Sequence, residues 1–433
     1  MNRTKVFFSS LAAALLVTAC ASFSRESGFV SLFDGQTLNG WKHVGGPADG
    51  YGVKDGVIFC SPNGRNLFTE RIYSDFVLRF EFKLEDGANN GVGIRAPLQG
   101  DAAYLGMEIQ ILEDAAADRG KWGKLRPEQY HGSIYDVVAA KRGALKPAGQ
   151  WNTEEITADG RHIKVVVNGL TLVDANLNDV ADPEKIRKHP GLFSERGHIG
   201  FLGHGDYLEF RNIRIKELAK PQKDNVAPAG FTALFNGKDL TGWKGLVADP
   251  KKRAAMSAEA LAAAQAKADA LMRENWKLDD GAVVYRGKSF DNLCTVKDYA
   301  DFELVCDWKI TPNSDSGLYL RGSPQVQIWD PFTAPVKAGN EVGSGGLFNN
   351  QKNPAKPLKV ADKPIGEWNR FRILMVGEKV HVFLNGELVV NNTTLENYWD
   401  RSQPIFSSGQ IELQAHTTPV WFKNIYVREI PTK

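Results

Sequence analysis

Near the C-terminal end, three short stretches alternate apolar residues with amides, aromatic rings and ionisable side chains. In QVQIWD (325–330), Val326 and Ile328 fit a core, which sends Gln325, Gln327 and Trp329 to the opposite face. Leu318 and Leu320 do the same for Tyr319 and Arg321. Ile411, Leu413 and Ala415 do so for Glu412, Gln414 and His416. One predicted surface therefore collects amides, a guanidinium, a carboxylate, an imidazole and two aromatic rings. Amides and carboxylates match sugar hydroxyls, and rings match the apolar faces of pyranoses. A solvated sheet face would carry Thr, Lys, Glu and Ser instead. Asp330, closing its stretch, joins the candidates.

A second set lies earlier. The same parity offers Arg95, then Glu108 and Gln110, then His198 and His204, with Met107, Ile109 and Ile111 directed to a core. Two carboxyls at about 5 Å would make a retaining glycosidase pair, but Glu113 falls on the core parity unless a bulge re-aims it. A strand end turning into solvent at Glu113 and Asp114 explains them equally well. His131, in QYHGSIYD, is expected on a loop and is taken as a substrate-binding candidate, although a lone loop histidine is more often incidental.

There are two sets because the chain repeats itself. GFVSLFDGQTLNGWK from Gly28 returns as GFTALFNGKDLTGWK from Gly230, and the echo runs in order to FRNIRIKEL and FKNIYVREI. The expected domains are 28–218 and 230–431, with 219–229, carrying Pro221 and Pro228, as linker. Phe76, Leu78, Phe80, Phe82 and Leu84 alternate with Arg79, Glu81 and Lys83, and Phe302 to Ile310 does likewise, which indicates half-buried antiparallel strands. Asn168-Gly169 and Asn385-Gly386 suit type I′ hairpin turns. The expectation is all-β, one two-sheet sandwich per copy. The exception is Ala-rich 249–275, present only in the second copy, where Met256, Leu261, Ala264, Ala268, Leu271 and Met272 approach helical spacing. A helix packed on the sandwich edge is the favoured reading, and a lid over a cleft the other.

With 42% hydrophobic and 24% charged residues, the composition is that of a globular protein. Lys and Arg number 53 against 51 Asp and Glu, without a basic cluster, so there is no footprint for nucleic acid. Residues 1–19 read as an export signal: Arg3 and Lys5 precede apolar Val6–Val17, and Val17-Thr18-Ala19-Cys20 resembles the bacterial lipobox. Cys20 would carry the lipid and 20–27 form a tether, giving an outer-membrane lipoprotein held by its anchor alone. Cys60, Cys294 and Cys306 read as buried small hydrophobes.

The shared motifs are LF-(D/N)-G-x-x-L-x-G-W, the SG/NG-x-x-x-R strand, (E/Q)-x-Q-I-x-(D/E), WN, NG and the closing (R/K)-N-I. On these, both copies resemble the 3-keto-disaccharide hydrolase domain family. The second copy looks like the commoner form; the first departs from it with Glu108 in place of Gln325 and HGSIYD in place of SGGLFN. EIQILE also resembles the carboxylate strand of laminarinase-type glucanases. The resemblance implies a concanavalin-like jelly roll with a concave, sugar-holding sheet. It implies cleavage of glycosides already oxidised to a ketone at sugar carbon 3. A separate 3-dehydrogenase oxidoreductase would supply that substrate, since this chain lacks a dinucleotide fingerprint.

A carbon-3 ketone acidifies the proton on carbon 2, and the enolate can expel the group on carbon 1; adding water completes hydrolysis. Such a site needs a base, a donor to the departing oxygen and a positive group at the enolate oxygen. Arg321 or Arg95 is the candidate for the last role, Glu412 or His416 and Glu108 or His204 for the base. Gln325, Gln327 and Gln110 would orient hydroxyls over a Trp329 platform. The sequence specifies no cofactor, and a divalent metal ion could replace the arginine, with Asp330 and Glu412, or Glu108 and His204, as ligands. A non-catalytic lectin-like protein is the leading alternative, and a structural spacer the third reading.

Overall fold

The computed structural model describes residues 28–218, 223–333 and 339–431. The leader, the tether, Cys20 and linker residues 219–222 lie outside the described residues. The rest forms two successive β-sandwiches, each facing an eight-stranded sheet with a five-stranded one.

The strand Phe76–Leu84 shows why. Its five alternate apolar residues are at most 2% exposed, while Arg79, Glu81 and Lys83 are half-buried on the other face. It lies between Trp151–Asp159 and Leu208–Glu217 in the first eight-stranded sheet. Its counterpart Phe302–Ile310 is buried on both faces, because the outer face of its sheet docks on the first sandwich. There Glu303 accepts a 2.8 Å hydrogen bond from Arg428 Nη2 and pairs with Arg372, which also pairs with Glu195 of the first sandwich. Burying that carboxylate is tolerable only because it is fully paired. Leu374, Val376, Phe383 and Ile430 continue the first core across the junction.

The five-stranded sheets carry the candidate residues. Their orders are Trp41–Val44, Asn66–Thr69, His198–Gly203, Asn89–Ala96, Met107–Leu112 and Trp243–Gly245, Leu293–Thr295, Glu412–Leu413, Asp315–Leu320, Ser323–Trp329. Ile109, Ile111, Val326 and Ile328 enter the cores, fully buried. The second copy meets the first through its other sheet, so the two outer faces do not form one cleft.

The inserted segment is two helices, Pro250–Ala254 and Ala258–Asn275. Ser257 restarts the helix by accepting from the Ala260 backbone N–H at 3.2 Å. The longer helix packs on edge strand Trp243–Gly245, where Gln265 Nε2 donates to the Gly245 carbonyl at 2.8 Å. A Cβ at Gly245 would stand 2.2 Å from the Ala268 carbonyl, so glycine permits this approach. Cys60, Cys294 and Cys306 are buried and unpaired.

Candidate active site

In the second copy the outer face is a chain of polar contacts. Gln327 Nε2 donates to Asp315 Oδ1 at 2.8 Å, and Gln325 Nε2 donates to Gln327 Oε1. The Gln325 side chain lies over Gly317 of the neighbouring strand, where an added Cβ would come within 3.1 Å of it. His416 sits half-exposed at the end of the next strand, edge-on to Phe290 with ring centroids 5.0 Å apart. Burial raises the Asp315 carboxyl above its ordinary range, opposed by His416 and by the Gln327 bond. Asp315 shares the parity of Tyr319, which was the signal available for finding it in the sequence.

Glu412 lies across the strand pair from Tyr319 and beside Cys294. It is 1% exposed, and Asn292 Nδ2 donates to its Oε2 at 3.4 Å. Asn292 also accepts from the Ala415 backbone N–H, which seats it between the two strands. Burial pushes the Glu412 carboxyl up to about 7, against the opposing pull of Arg253 and the Asn292 bond. Gln414 Nε2 donates to the Tyr319 hydroxyl at 3.4 Å.

Arg253 comes from the insertion. The turn Pro250–Ala254 crosses above this end of the sheet, where a Cβ on Gly322 would lie 2.8 Å from Pro250 Cγ and 3.6 Å from Glu412 Oε1. Lys251 reaches Asp400 at 3.2 Å on the far side. The longer helix is therefore an edge element and the short one a roof over Glu412.

At the other end, Trp329 and Phe348 meet edge to face at 5.3 Å beside a hollow of about 120 Å³. Gln327, Val342, Ala355, Lys356 and Pro357 line it too, with the backbone of Gly339, Gly343 and Gly346. The Trp329 indole N–H is committed to the Gly343 carbonyl at 2.7 Å.

Four expected roles fail on geometry. Arg321 adopts a left-handed backbone at φ 54°, and its guanidinium binds Asp301 at 2.6 Å and the Ala300 and Phe406 carbonyls. Arg95, at φ 49°, repeats this with Asp75, Ser74, Gly160 and Ser194. Both arginines pin the rim where the sheets meet, since the positive φ turns them off the strand parity. Asp330 is 0% exposed and accepts from the Asn313, Phe332 and Thr333 backbone N–H groups, as a loop cap does. His131 is not on an open loop. It is buried against Phe82 at 5.5 Å, and desolvation pulls its imidazole down to about 3. Glu113 caps helix Asp114–Asp118 through the Ala115 and Ala116 N–H groups, so it forms no pair with Glu108. Among the described residues no three His, Cys, Asp or Glu side chains converge on a metal-sized site.

The first copy keeps part of this pattern and fills the rest. Glu108 Oε1 lies 3.4 Å from His204 Nε2, and that bond raises the imidazole above its ordinary value. Gln110, with its amide turned, donates to Glu108 Oε1 at 3.3 Å. His198 Nδ1 is held by the Thr69 carbonyl at 2.7 Å. Strand pairing places Gly200 where the second copy has Glu412, since Gly200 faces Phe68 and Gly93 as Glu412 faces Cys294 and Tyr319. Phe68 and Leu202 then pack with Ala96 and Ala102 into a separate apolar cluster. The carboxylate beside the histidine has also changed strands, from Asp315 in the second copy to Glu108 in the first.

A 3-keto-disaccharide hydrolase of Bacteroides thetaiotaomicron is 27% identical over 229 residues, covering 44% of this chain and 79% of that protein. A crystal structure from Parabacteroides distasonis, described as a glycosyl hydrolase, is 30% identical over 44% of this chain and 99% of its own, with a TM-score of 0.39. A carbohydrate binding module of Bacillus subtilis is 16% identical, covering 41% of this chain and 96% of its own, with a TM-score of 0.25. The family model for the 3-keto-alpha-glucoside-1,2-lyase-like domain matches residues 28–216 and again 230–428. The chain therefore belongs to the 3-keto-alpha-glucoside-1,2-lyase-like domain family, two copies of which it carries in tandem.

Proposed function

We propose that the second sandwich cleaves glycosides oxidised at carbon 3 of the sugar, by removal of the carbon-2 proton, elimination at carbon 1 and hydration. The observation that carries this reading is Glu412. It is a buried carboxyl held by Asn292, poised at about 7, on the face that also presents Asp315, Gln325, Gln327 and His416. A base tuned close to the working pH both exists in its ionised form and accepts a proton effectively. In this proposal Glu412 takes the carbon-2 proton, and His416, facing Asp315, gives one to the departing oxygen. Arg253 replaces Arg321 as the positive group, because its Nη1 binds the Val247 and Ala248 carbonyls while the guanidinium stays within electrostatic reach of Glu412. The roof over Glu412 must lift for substrate to reach it.

A second reading applies to the first sandwich alone. With Gly200 for the base and Phe68 and Leu202 filling the face, it serves as a non-catalytic binding or supporting module. We further propose that the leader exports the chain and Cys20 anchors it by lipid, and that a separate 3-dehydrogenase supplies the ketosugar. Turnover of a 3-keto-glucoside by Glu412→Gln, Glu108→Gln and the double variant tests the assignment. Glu412→Gln should lose about 10²- to 10⁴-fold, and Glu108→Gln should retain turnover. Full activity in the double variant would dismiss both carboxyls as bases.

A further inference from the structure

The hollow beside Trp329 differs chemically from the polar face next to it. The N–H groups of its floor amide are already taken: Gln327 Nε2 shares them among Asp315 and the Ser316 and Ile328 carbonyls, and its Oε1 accepts from Gln325. The Trp329 N–H is spent on Gly343. Val342, Ala355, Pro357 and the Phe348 ring bring no hydrogen-bonding side-chain groups. Among the described side chains of its wall, only the exposed Lys356 retains donors to offer. A sugar ring placed here would lose water from several hydroxyls and find few partners, a loss that burial of its carbons does not repay.

An apolar ring meets no such penalty. At about 120 Å³ the hollow has the scale of one six-membered ring. Phe348, in its wall, is 41% exposed, so apolar surface stands unburied at the hollow. Strand pairing sets Trp329 opposite Asp315, whereas Glu412 lies opposite Tyr319. Those positions lie four residues apart along the strand and on its opposite flanks, about 16 Å in all. That is room for a sugar over the polar face and its departing group in the hollow.

We propose that this hollow is the aglycone subsite, and that the substrate class is 3-keto-glycosides bearing a flat apolar aglycone, such as an aryl group, rather than a second sugar. The inference rests on the proposed cleavage reaction for its biological meaning but can be tested apart from it. Binding of unoxidised phenyl glucoside, methyl glucoside and cellobiose to the full chain would be measured by calorimetry, alongside Ala355→Phe, which fills the hollow, and Phe348→Ser, which removes an exposed wall. Phenyl glucoside should bind at least about tenfold more tightly than the other two. Both variants should erase most of that preference.

Equal affinity for phenyl and methyl glucoside, or a preference untouched by Ala355→Phe, overturns the subsite. If Ala355→Phe fails to fold, Phe348→Ser decides alone. Selective phenyl binding without turnover of any 3-keto-glucoside would sink the proposed reaction and leave the hollow standing. Turnover of methyl 3-keto-glucoside with no aryl preference would do the reverse.

Discussion

The Arg321 guanidinium lies 2.6 Å from Asp301, with both side chains at most 8% exposed, and Asp301 also accepts from the Gly377 backbone N–H at 2.8 Å. Arg95, Asp75 and Gly160 build the same lock in the first sandwich at 2.8 and 2.9 Å. Each lock ties the end of a five-stranded sheet to a hairpin of the facing sheet. These arginines hold the scaffold.

Breaking the lock should cost stability first. Arg321→Met strands a buried carboxylate, and losing one partner of such a pair costs about 3–5 kcal/mol. Denaturant unfolding checks this. Unchanged stability with abolished turnover would return Arg321 to the catalytic face.

Glu412 makes stability and activity respond to pH in opposite senses. Its folded-state value is raised from 4.5 to about 7, so between these values the native chain keeps a proton that the unfolded chain releases. Stability therefore falls as pH rises through that window, by about 3 kcal/mol in all, whereas turnover should climb as the base ionises. Glu412→Gln should lose both dependences. A pH–rate profile flat from 5 to 8 in the native chain would contradict the role of Glu412.

Arg253 opposes the upward shift of Glu412, so Arg253→Gln should move the ascending limb of the pH–rate profile to higher pH. Arg253→Lys should restore part of the difference. A purely structural turn would change stability without moving the limb.

Gly91 makes room for Glu108: a Cβ there would stand 1.9 Å from Glu108 Oε1. Gly91→Ala should displace that carboxylate from His204 and return the imidazole toward its ordinary value. The His204 titration, followed by NMR, reads this directly, and an unmoved titration would refute the contact.

Several of these relationships are legible without coordinates. The duplicated motifs and the period-two runs of Phe76–Leu84 and Phe302–Ile310 determine an all-β tandem architecture, because alternating burial follows from strand geometry alone. The same parity brought Gln325, Gln327, Glu412 and Gln414 onto one face. It did not place Arg95 and Arg321, because a single positive-φ residue at a strand end re-aims the side chain, and nothing in the sequence announces that turn. His131 and Asp330 likewise depended on what closes over them. Tertiary structure alone decided that a turn of the insertion roofs Glu412, and that the Trp329 and Gln327 N–H groups beside the hollow are already taken. Each is a contact between segments distant in the chain, and such contacts are set by how the two sheets and their loops pack.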